Sequence, residues 1–198
     1  MFRGVATSPI VVLMTQKLTA ADWVGHGLKQ LARVGPQALK ADLLARSLRV
    51  TRGSFYWHFA DLAAFHQAVA DHWRAVATDA IIAEISHLPD DSDRLFALIM
   101  RVFKAPTVLE AAMRAWAGQD EVAARAVAQV DELRRGYIIS LLQAKGVDES
   151  LAQLRTNIIY WTYLGFVVEG RKIDTASLSV IAGLLSEPGQ ISAIADLP

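Results

Sequence analysis

Residues 43–59 read LLARSLRVTRGSFYWHF, and the fold follows from this stretch. It predicts two short helices joined by a turn, at about residues 40–48 and 51–58, with Thr51 as the N-cap of the second. A longer helix precedes them, because Thr19 and Asp22 are typical of a capping box and Gly35-Pro36 ends the helical pattern. This arrangement is a helix-turn-helix, whose second short helix can lie in a DNA major groove about 12 Å wide.

Side chains along this stretch divide into an inward set and an outward set. Apolar residues are spaced to pack inward, namely Leu44, Ala45, Leu48, Val50, Phe55 and Phe59. The side chains that remain to face DNA are Arg52, Ser54, Tyr56, Trp57 and His58. Thr51 also places the amide-rich start of a helix where a phosphate could bind. An alternative stays open for Tyr56, Trp57 and His58, which would suit ordinary packing in a helical bundle.

The rest of the chain predicts further helices and an all-α fold. No stretch alternates apolar and polar residues over the length of a strand, and Asn-Gly and Asp-Gly hairpin turns are absent. Asp61 is expected to cap a long helix that runs towards His87 and is broken at residues 88–91. Later helices are predicted at 92–104, 107–117, 121–145, 149–169 and 176–186. Helix 121–145 carries an apolar stripe of Val127, Val130, Leu133, Tyr137, Leu141 and Leu142.

Charge is divided unevenly along the chain, although the net charge is zero. Residues 1–60 contain eight Lys or Arg and two Asp, a net charge of +6, and the remaining 138 residues carry −6. A basic head on an acidic body indicates that the head alone meets a polyanion, although chance clustering would give the same pattern. We therefore divide the chain into a flexible N-terminal arm (1–18), a helix-turn-helix DNA-binding domain (19–60) and a body (61–198). Met14 is an alternative to Met1 as the start of translation.

Composition narrows the protein class. The 198 residues are 53% hydrophobic, which is typical of a globular protein, and they include no cysteine, so no disulfide or thiolate metal site can form. The longest apolar run, residues 158–168, is far shorter than the roughly 20 residues of a membrane-spanning helix. The N-terminal residues contain one Arg and only a short apolar patch, which is too weak a pattern for a secretory signal. These features predict a cytoplasmic protein without a membrane partner.

The run from Val50 to Phe59, VTRGSFYWHF, resembles the recognition helix of TetR-family transcriptional regulators. Residues 112–117 (AMRAWA) and 130–137 (VDELRRGY) also resemble a subset of that family, and the resemblance extends over residues 19–186. It implies a three-helix DNA-binding domain, a helical ligand-binding domain and a homodimer built by the last two long helices. Operator DNA, a small-molecule effector and a second copy of the chain are the partners that it implies.

The resemblance also assigns DNA contacts position by position. Arg52 and Ser54 would reach base edges, Trp57 would touch a base or sugar, and the phosphates would be held by Lys40, Tyr56 and His58. The chain departs from the family pattern at two positions. Arg49 stands where the turn usually has Gly, which indicates a strained turn or an additional cationic contact. Leu62 stands where the next helix usually starts with Lys or Arg. The phosphate contact that the family makes from this position therefore has no support in this sequence.

An aromatic set in the body has two interpretations. Trp116, Tyr160, Trp161, Tyr163 and Phe166 could be core, or they could line a pocket with a few polar groups. The predicted ligand-binding residues are Arg114, Trp116, Arg155, Asn157, Tyr160, Trp161 and Glu169. Residues 158–168 and the apolar positions Leu178, Ile181, Ala182 and Leu185 are either simply buried or form the dimer interface.

Metal and catalytic sites have little support in the sequence. His58, His66 and His72 are eight and six residues apart, which does not place them in adjacent turns of one helix face. Ser54 and His58 lack a matching carboxylate, so we predict no enzyme, no metal and no cofactor.

The prediction is a repressor whose dimer spans major grooves about 34–36 Å apart on a near-palindromic operator. The ligand would tilt the long fourth helix through its unequal affinity for two states. The rival class is a helical ligand-binding protein or enzyme without DNA binding.

Overall fold

Regular structure in the chain is helical throughout the part that the computed structural model describes, residues 18–89, 93–170 and 172–186. The helices are α1 (Ala20–Val34), α2 (Ala41–Ser47), α3 (Arg52–Tyr56), α4 (Leu62–Arg74), α5 (Ala80–Ser86), α6 (Arg94–Phe103), α7 (Val108–Ala117), α8 (Glu121–Ala144), α9 (Glu149–Glu169) and α10 (Thr175–Ser186). The all-α prediction is confirmed. The predicted arm at 1–18, except Leu18, and the possible start at Met14 lie outside the described residues, as do positions 90–91 of the predicted break.

Helix starts follow from local side-chain capping. The Asp22 amide donates to the Thr19 hydroxyl over 3.2 Å, and the Thr19 amide donates to the Asp22 carboxylate over 2.7 Å, which confirms the capping box. The Ala64 amide donates to Asp61 over 2.7 Å and confirms that cap as well. Thr51 precedes α3 as predicted, but its side chain makes no capping hydrogen bond.

The helix predicted from Asp61 towards His87 contains a π-helical turn. Residues Ala75–Asp79 form this turn between α4 and α5, and the backbone stays helical on both sides of it. One extra residue in the turn shifts the faces of α5 relative to those of α4, and such turns are frequent at functional sites. The hydrophobic period alone does not reveal it, because both segments remain amphipathic.

Two hydrophobic cores are arranged along the body. The first core joins the predicted DNA-binding domain to α4, α7 and the start of α8, and includes Trp23, Phe55, Phe65, Trp73, Met113, Trp116 and Val130. The second core joins α6, α9, α10 and the end of α8, and includes Leu95, Ile99, Ile138, Leu142, Tyr160 and Leu178. The head is therefore packed directly on the body, and α8 contributes to both cores.

His66 adds a polar contact to the junction between head and body. Its Nδ1 lies 2.9 Å from the Asp120 carboxylate, and its Nε2 lies 3.1 Å from the Leu39 carbonyl oxygen. Asp120 is also the N-cap of α8 and accepts from the Val122 amide over 2.9 Å. One carboxylate thus caps α8 and contacts α4.

The prediction that Leu133 belongs to the apolar stripe of α8 is wrong. Val127, Val130, Leu141 and Leu142 are buried, but Leu133 is 37% exposed. A charged residue, Arg134, faces inward beside it, with a side chain that is only 14% exposed. On the inward face of α8, Arg134 reaches acceptors on two other elements, α7 and the π turn.

Candidate nucleic-acid interface and ligand cavity

The turn between α2 and α3 ends α2 through two backbone hydrogen bonds. The Arg49 amide donates to the Arg46 carbonyl over 3.1 Å, and the Val50 amide donates to the Ala45 carbonyl over 3.0 Å. This pairing is a Schellman motif, which places one residue in the left-handed region. That residue is Arg49, with φ of 58°, so the strained turn indicated by the sequence is present. No other non-glycine residue in the described ranges has a positive φ.

Helix α3 rests on an aromatic cluster. Phe55 is fully buried, and its ring centroid lies 5.4 Å from that of Trp23 and 5.2 Å from that of Phe65. The other predicted inward residues follow, since Leu44, Ala45 and Phe59 are buried while Leu48 and Val50 are partly buried. Edge-to-face aromatic pairs contribute about 0.5–1.5 kcal/mol beyond the burial of their area. The orientation of α3 is therefore set by core packing and not by its five helical residues alone.

The opposite face of α3 is open. Trp57 is 74% exposed and Tyr56 is 43% exposed, which is unusual for large aromatic side chains without a binding role. Thr51 and Arg52 are exposed too, and Ser54 and His58 are half-buried. Lys40, the N-cap residue of α2, and Arg49 are exposed. The structure thus brings the predicted DNA-contacting residues to the same helix-turn-helix unit.

Arg52 has two polar partners on this face. Its Nε lies 3.3 Å from an Asp42 carboxylate oxygen, and one terminal nitrogen donates to the Tyr56 hydroxyl over 3.1 Å. The guanidinium carbon also lies 5.3 Å from the centre of the Tyr56 ring. The hydrogen bond to Tyr56 and the charge of Asp42 raise the pKa of Arg52. A planar donor group that is already oriented in this way loses little freedom when it meets a base edge.

A cavity of about 320 Å³ lies in the body beside the π-helical turn. Residues from α4, the π turn, α5, α6, α7, α8 and α9 line it. Val76, Ala77 and Thr78 of the π turn and Trp73 of α4 form one wall, and Tyr160 and Tyr163 of α9 contribute another part. This volume lies at the lower end of the range for small-molecule sites, about 300–1,000 Å³.

A buried ionic network contributes Glu110 and Arg134 to the cavity wall. Arg134 donates to both Glu110 carboxylate oxygens over 3.0 and 3.1 Å, to the Thr78 hydroxyl over 3.0 Å and to the Ala77 carbonyl over 3.0 Å. Burial would lower the pKa of Arg134, but the charge of Glu110 outweighs it and raises that pKa. Arg134 of α8 thereby ties α7 to the π turn.

A second part of the network involves Arg114. Its Nε donates to Glu110 over 2.9 Å, and its two terminal nitrogens donate to the Asp131 carboxylate over 3.1 and 2.6 Å. The Tyr160 hydroxyl donates to the same carboxylate over 2.6 Å. Burial raises the pKa of Asp131, but the hydrogen bonds from Arg114 and Tyr160 outweigh it, so the net shift is downward.

The predicted ligand residues are only partly brought together. Tyr160 lines the cavity, and Arg114 stands behind it in the network. Trp116 is buried in the first core, where its ring centroid lies 5.0 Å from that of His66. Trp161 is 60% exposed on the outer face of α9. The remaining three, Arg155, Asn157 and Glu169, are outside the cavity lining.

Sequence reasoning missed the residues that define the cavity, namely Trp73, Thr78, Glu110 and Arg134. Two signals were available for part of this set. Glu110 and Arg114 are four residues apart on one helix, a spacing typical of an ion pair. Arg134 follows Val130 by four residues, so a charge falls in register with a buried stripe. Nothing local in the sequence indicates the positions of Trp73 or Thr78.

Two other kinds of feature, a metal site and a membrane span, are absent from the described ranges. No group of three or more His, Asp or Glu side chains there is arranged to hold a metal ion. None of the helices in those ranges combines the length and apolar character needed to cross a bilayer.

Comparisons with solved structures identify the fold. A proposed transcriptional regulator from Pseudomonas aeruginosa PAO1 superimposes with a TM-score of 0.67 at 15% identity, over 84% of this chain and 87% of that one. The multidrug binding protein EbrR, complexed with imidazole, superimposes with a TM-score of 0.56 at 18% identity, over 84% and 93% of the two chains. BioQ with its DNA operator superimposes with a TM-score of 0.45 at 24% identity, over 85% and 98% of the two chains. No protein-family profile and no curated protein sequence matches the chain.

Proposed function

We propose that this chain is a ligand-responsive transcriptional repressor of the TetR type that binds operator DNA through α3. One observation carries the proposal, the open face of α3, where Arg52, Tyr56 and Trp57 stand exposed on a rigid aromatic base. The described part of the head, residues 18–60, adds six Lys or Arg against two Asp, a net charge of +4. A basic helix-turn-helix that presents an arginine is typical of proteins that read a major groove. The repressor would act in the cytoplasm, in contact with its operator.

The fold connects the cavity to the head through two helices. Trp73 of α4 belongs to the first core and also lines the cavity. On α7, Glu110 lines the cavity, and Met113 lies in the first core one turn later. A ligand that displaces the π turn would therefore move α4, on which Phe65 supports α3. Release of DNA follows if the ligand prefers the displaced state, since a ligand shifts an equilibrium only through unequal affinity.

The second copy of the chain would pack on α9 and α10. Leu154, Ile158, Trp161 and Val168 are exposed on α9 at three-, four- and seven-residue steps, which place them on one face. On α10, Val180 and Leu184 are exposed, whereas Leu178 and Ala182 are buried against α6. A self-complementary apolar face of this kind is typical of a two-fold interface.

We expect Trp161→Glu to convert a dimer into a monomer in sedimentation experiments. Leu43→Glu, at an exposed apolar position in the head, should leave the dimer intact.

DNA binding is tested by fluorescence anisotropy with the duplex upstream of the chain's own gene. We expect specific binding that Arg52→Ala weakens and that Arg125→Ala, an exposed arginine of the body outside the cavity lining, leaves unchanged. If the wild-type protein binds no sequence of that duplex more tightly than a scrambled one, the repressor proposal is wrong. The rival class, a helical ligand-binding protein without DNA binding, then remains.

A further inference from the structure

The charges that line the cavity are all neutralised by protein partners. Three charged side chains contribute to the lining, namely Arg101, Glu110 and Arg134. Arg101 donates to the Glu84 carboxylate over 3.1 Å, and Glu110 accepts from Arg134 and from Arg114. Arg114 is in turn paired with Asp131. The protein thus presents no unsatisfied charge to a ligand among these residues.

An ionic ligand would have to break this network. An anion that bound Arg134 would compete with Glu110, whose side chain is only 6% exposed. The displaced Glu110 carboxylate would then remain buried next to the anion. A cation would find Glu110 already bound by two guanidinium groups. Separating a buried ion pair leaves a charge that is poorly solvated, and this cost is subtracted from the binding free energy.

The rest of the wall favours apolar surface. Most lining residues are aliphatic or aromatic, among them Val76, Ile81, Leu98, Val102, Phe103 and Ile159. The cavity volume of about 320 Å³ fits a molecule of a few fused or linked rings or a short branched chain. Binding to such walls removes apolar ligand surface from water, which makes the binding free energy more favourable.

One buried donor in the wall has no acceptor. The Trp73 side chain is fully buried, and its indole Nε1 has no hydrogen-bond partner among the described residues. Trp73 is one of the lining residues, but the accessible area of its Nε1 is below 1 Å². A ligand acceptor therefore reaches this donor only when neighbouring side chains shift. A buried N–H without a partner costs free energy that a correctly placed acceptor recovers. Arg134, whose guanidinium carbon lies 5.6 Å from the Trp73 ring centre, offers only donors and cannot fill this role.

We propose that the cavity takes an uncharged, predominantly apolar small molecule that bears a hydrogen-bond acceptor, such as a ketone or ester carbonyl, for the Trp73 indole N–H. This inference rests on the proposed function only in naming that molecule as the effector. The ligand class itself follows from the paired charges, the apolar wall and the unpartnered donor. Binding of the acceptor next to the π turn also places the ligand against the element that links α4 to α5.

Calorimetric titration of the full-length protein with four probes of one scaffold tests the ligand class. Acetylnaphthalene is neutral with an acceptor, ethylnaphthalene is neutral without one, naphthoate is anionic and naphthylmethylammonium is cationic. We expect acetylnaphthalene to bind about fivefold more tightly than ethylnaphthalene, the typical worth of one hydrogen bond. Both neutral probes should bind at least tenfold more tightly than the two ions. Equal or tighter binding of either ion, or no binding of any probe, would overturn the proposal.

Two variants locate the probes. Trp73→Phe keeps the ring but removes the donor, so the preference for acetylnaphthalene over ethylnaphthalene should disappear. If the preference persists in a folded Trp73→Phe protein, Trp73 is not the donor. Ile159→Trp fills the cavity and should abolish binding of both neutral probes, and retained binding would place them elsewhere. Should Trp73→Phe fail to fold, the wild-type comparison of the two neutral probes still decides whether an acceptor is recognised.

Operator anisotropy in the presence of acetylnaphthalene separates this inference from the proposed function. Specific DNA binding together with failure of all four probes overturns the ligand class and leaves the DNA-binding proposal standing. Tight, selective binding of the neutral ketone by a protein that binds no operator supports the ligand class and overturns the repressor proposal.

Discussion

Arg49 and Gly146 occupy the same position in two copies of one helix-terminating turn. In both turns the left-handed residue donates its amide to the carbonyl three residues back, over 3.1 and 2.9 Å. The next amide donates to the carbonyl five residues back, over 3.0 and 3.2 Å. The values of φ are 58° for Arg49 and 82° for Gly146. The turn that ends α8 has a glycine, which lacks a Cβ and adopts a positive φ without a steric penalty. The turn that ends α2 has an arginine, for which a positive φ is unfavourable.

Arg49→Gly is expected to raise the free energy of unfolding. The left-handed conformation costs an L-residue roughly 1–2 kcal/mol, and the greater freedom of Gly in the unfolded chain returns ~0.5 kcal/mol of that gain. Gly146→Ala should lower the same quantity by a comparable amount, because no atom lies within 4 Å of the added Cβ and only the backbone conformation is tested. Urea denaturation of both variants measures the two effects. A lower stability for Arg49→Gly would contradict the strained turn.

The Arg49 charge is tested separately by salt dependence. If its side chain contacts a phosphate, Arg49→Gly and Arg49→Ala should each reduce the salt slope of operator binding by about one unit. Arg49→Ala keeps the strained backbone, so its stability should stay near that of the wild type. An unchanged slope in both variants would mean that Arg49 is a surface charge without a role in binding.

Substitutions on the α3 face should divide into two classes. We expect Arg52→Ala and Ser54→Ala to relax sequence preference, since a base contact contributes about 1–3 kcal/mol of discrimination. Lys40→Ala should weaken binding to operator and to unrelated DNA alike. Tyr56→Phe should also weaken both, and because it removes the hydroxyl that accepts from Arg52, it should reduce sequence preference in addition. Anisotropy titrations with both duplexes give the ratio. Equal losses on the two duplexes for Arg52→Ala would exclude its assignment to a base edge.

Glu110→Gln should be strongly destabilising. The change removes the carboxylate that pairs with Arg134 and Arg114, and a broken buried pair costs about 3–5 kcal/mol. Glu84→Gln is the matched control, because Glu84 and Arg101 are about half exposed and such a pair contributes about 0–1 kcal/mol. Chemical denaturation compares them. A similar loss for both variants would show that the network around Glu110 contributes no more than a surface pair.

Acid should destabilise the protein partly through Asp131. Its pKa is lowered in the folded state from an ordinary value of 3.8, so the stabilisation is present above pH 3.8 and is lost as the pH falls below it. Asp131→Asn has no charge to titrate, and its free energy of unfolding should therefore fall less steeply than that of the wild type below pH 3.8. Parallel denaturation curves at several pH values give the two slopes. Identical slopes would mean that Asp131 does not carry the predicted ion pair in solution.

The amino-acid sequence alone determined the helices and the helix-turn-helix. Predicted and observed bounds agree at 149–169, and the caps at Thr19 and Asp61 form as expected. The unusual conformation of Arg49 was also predictable, because the resembling family has Gly at that position. These features depend on residues within a few positions of one another, so their physical causes can be identified from neighbouring residues.

Only the tertiary structure decided where the cavity lies and what surrounds it. Trp116 was predicted to bind ligand, yet it packs against His66 in the first core, while Trp73 lines the cavity instead. Arg134 reaches Glu110 and Thr78 across 24 and 56 residues of chain. Helix periodicity gives the face on which a residue lies but not which helix lies opposite. The pairing of buried charges and the π turn depend on that opposite helix, because a buried charge is stable only where distant elements supply its partners.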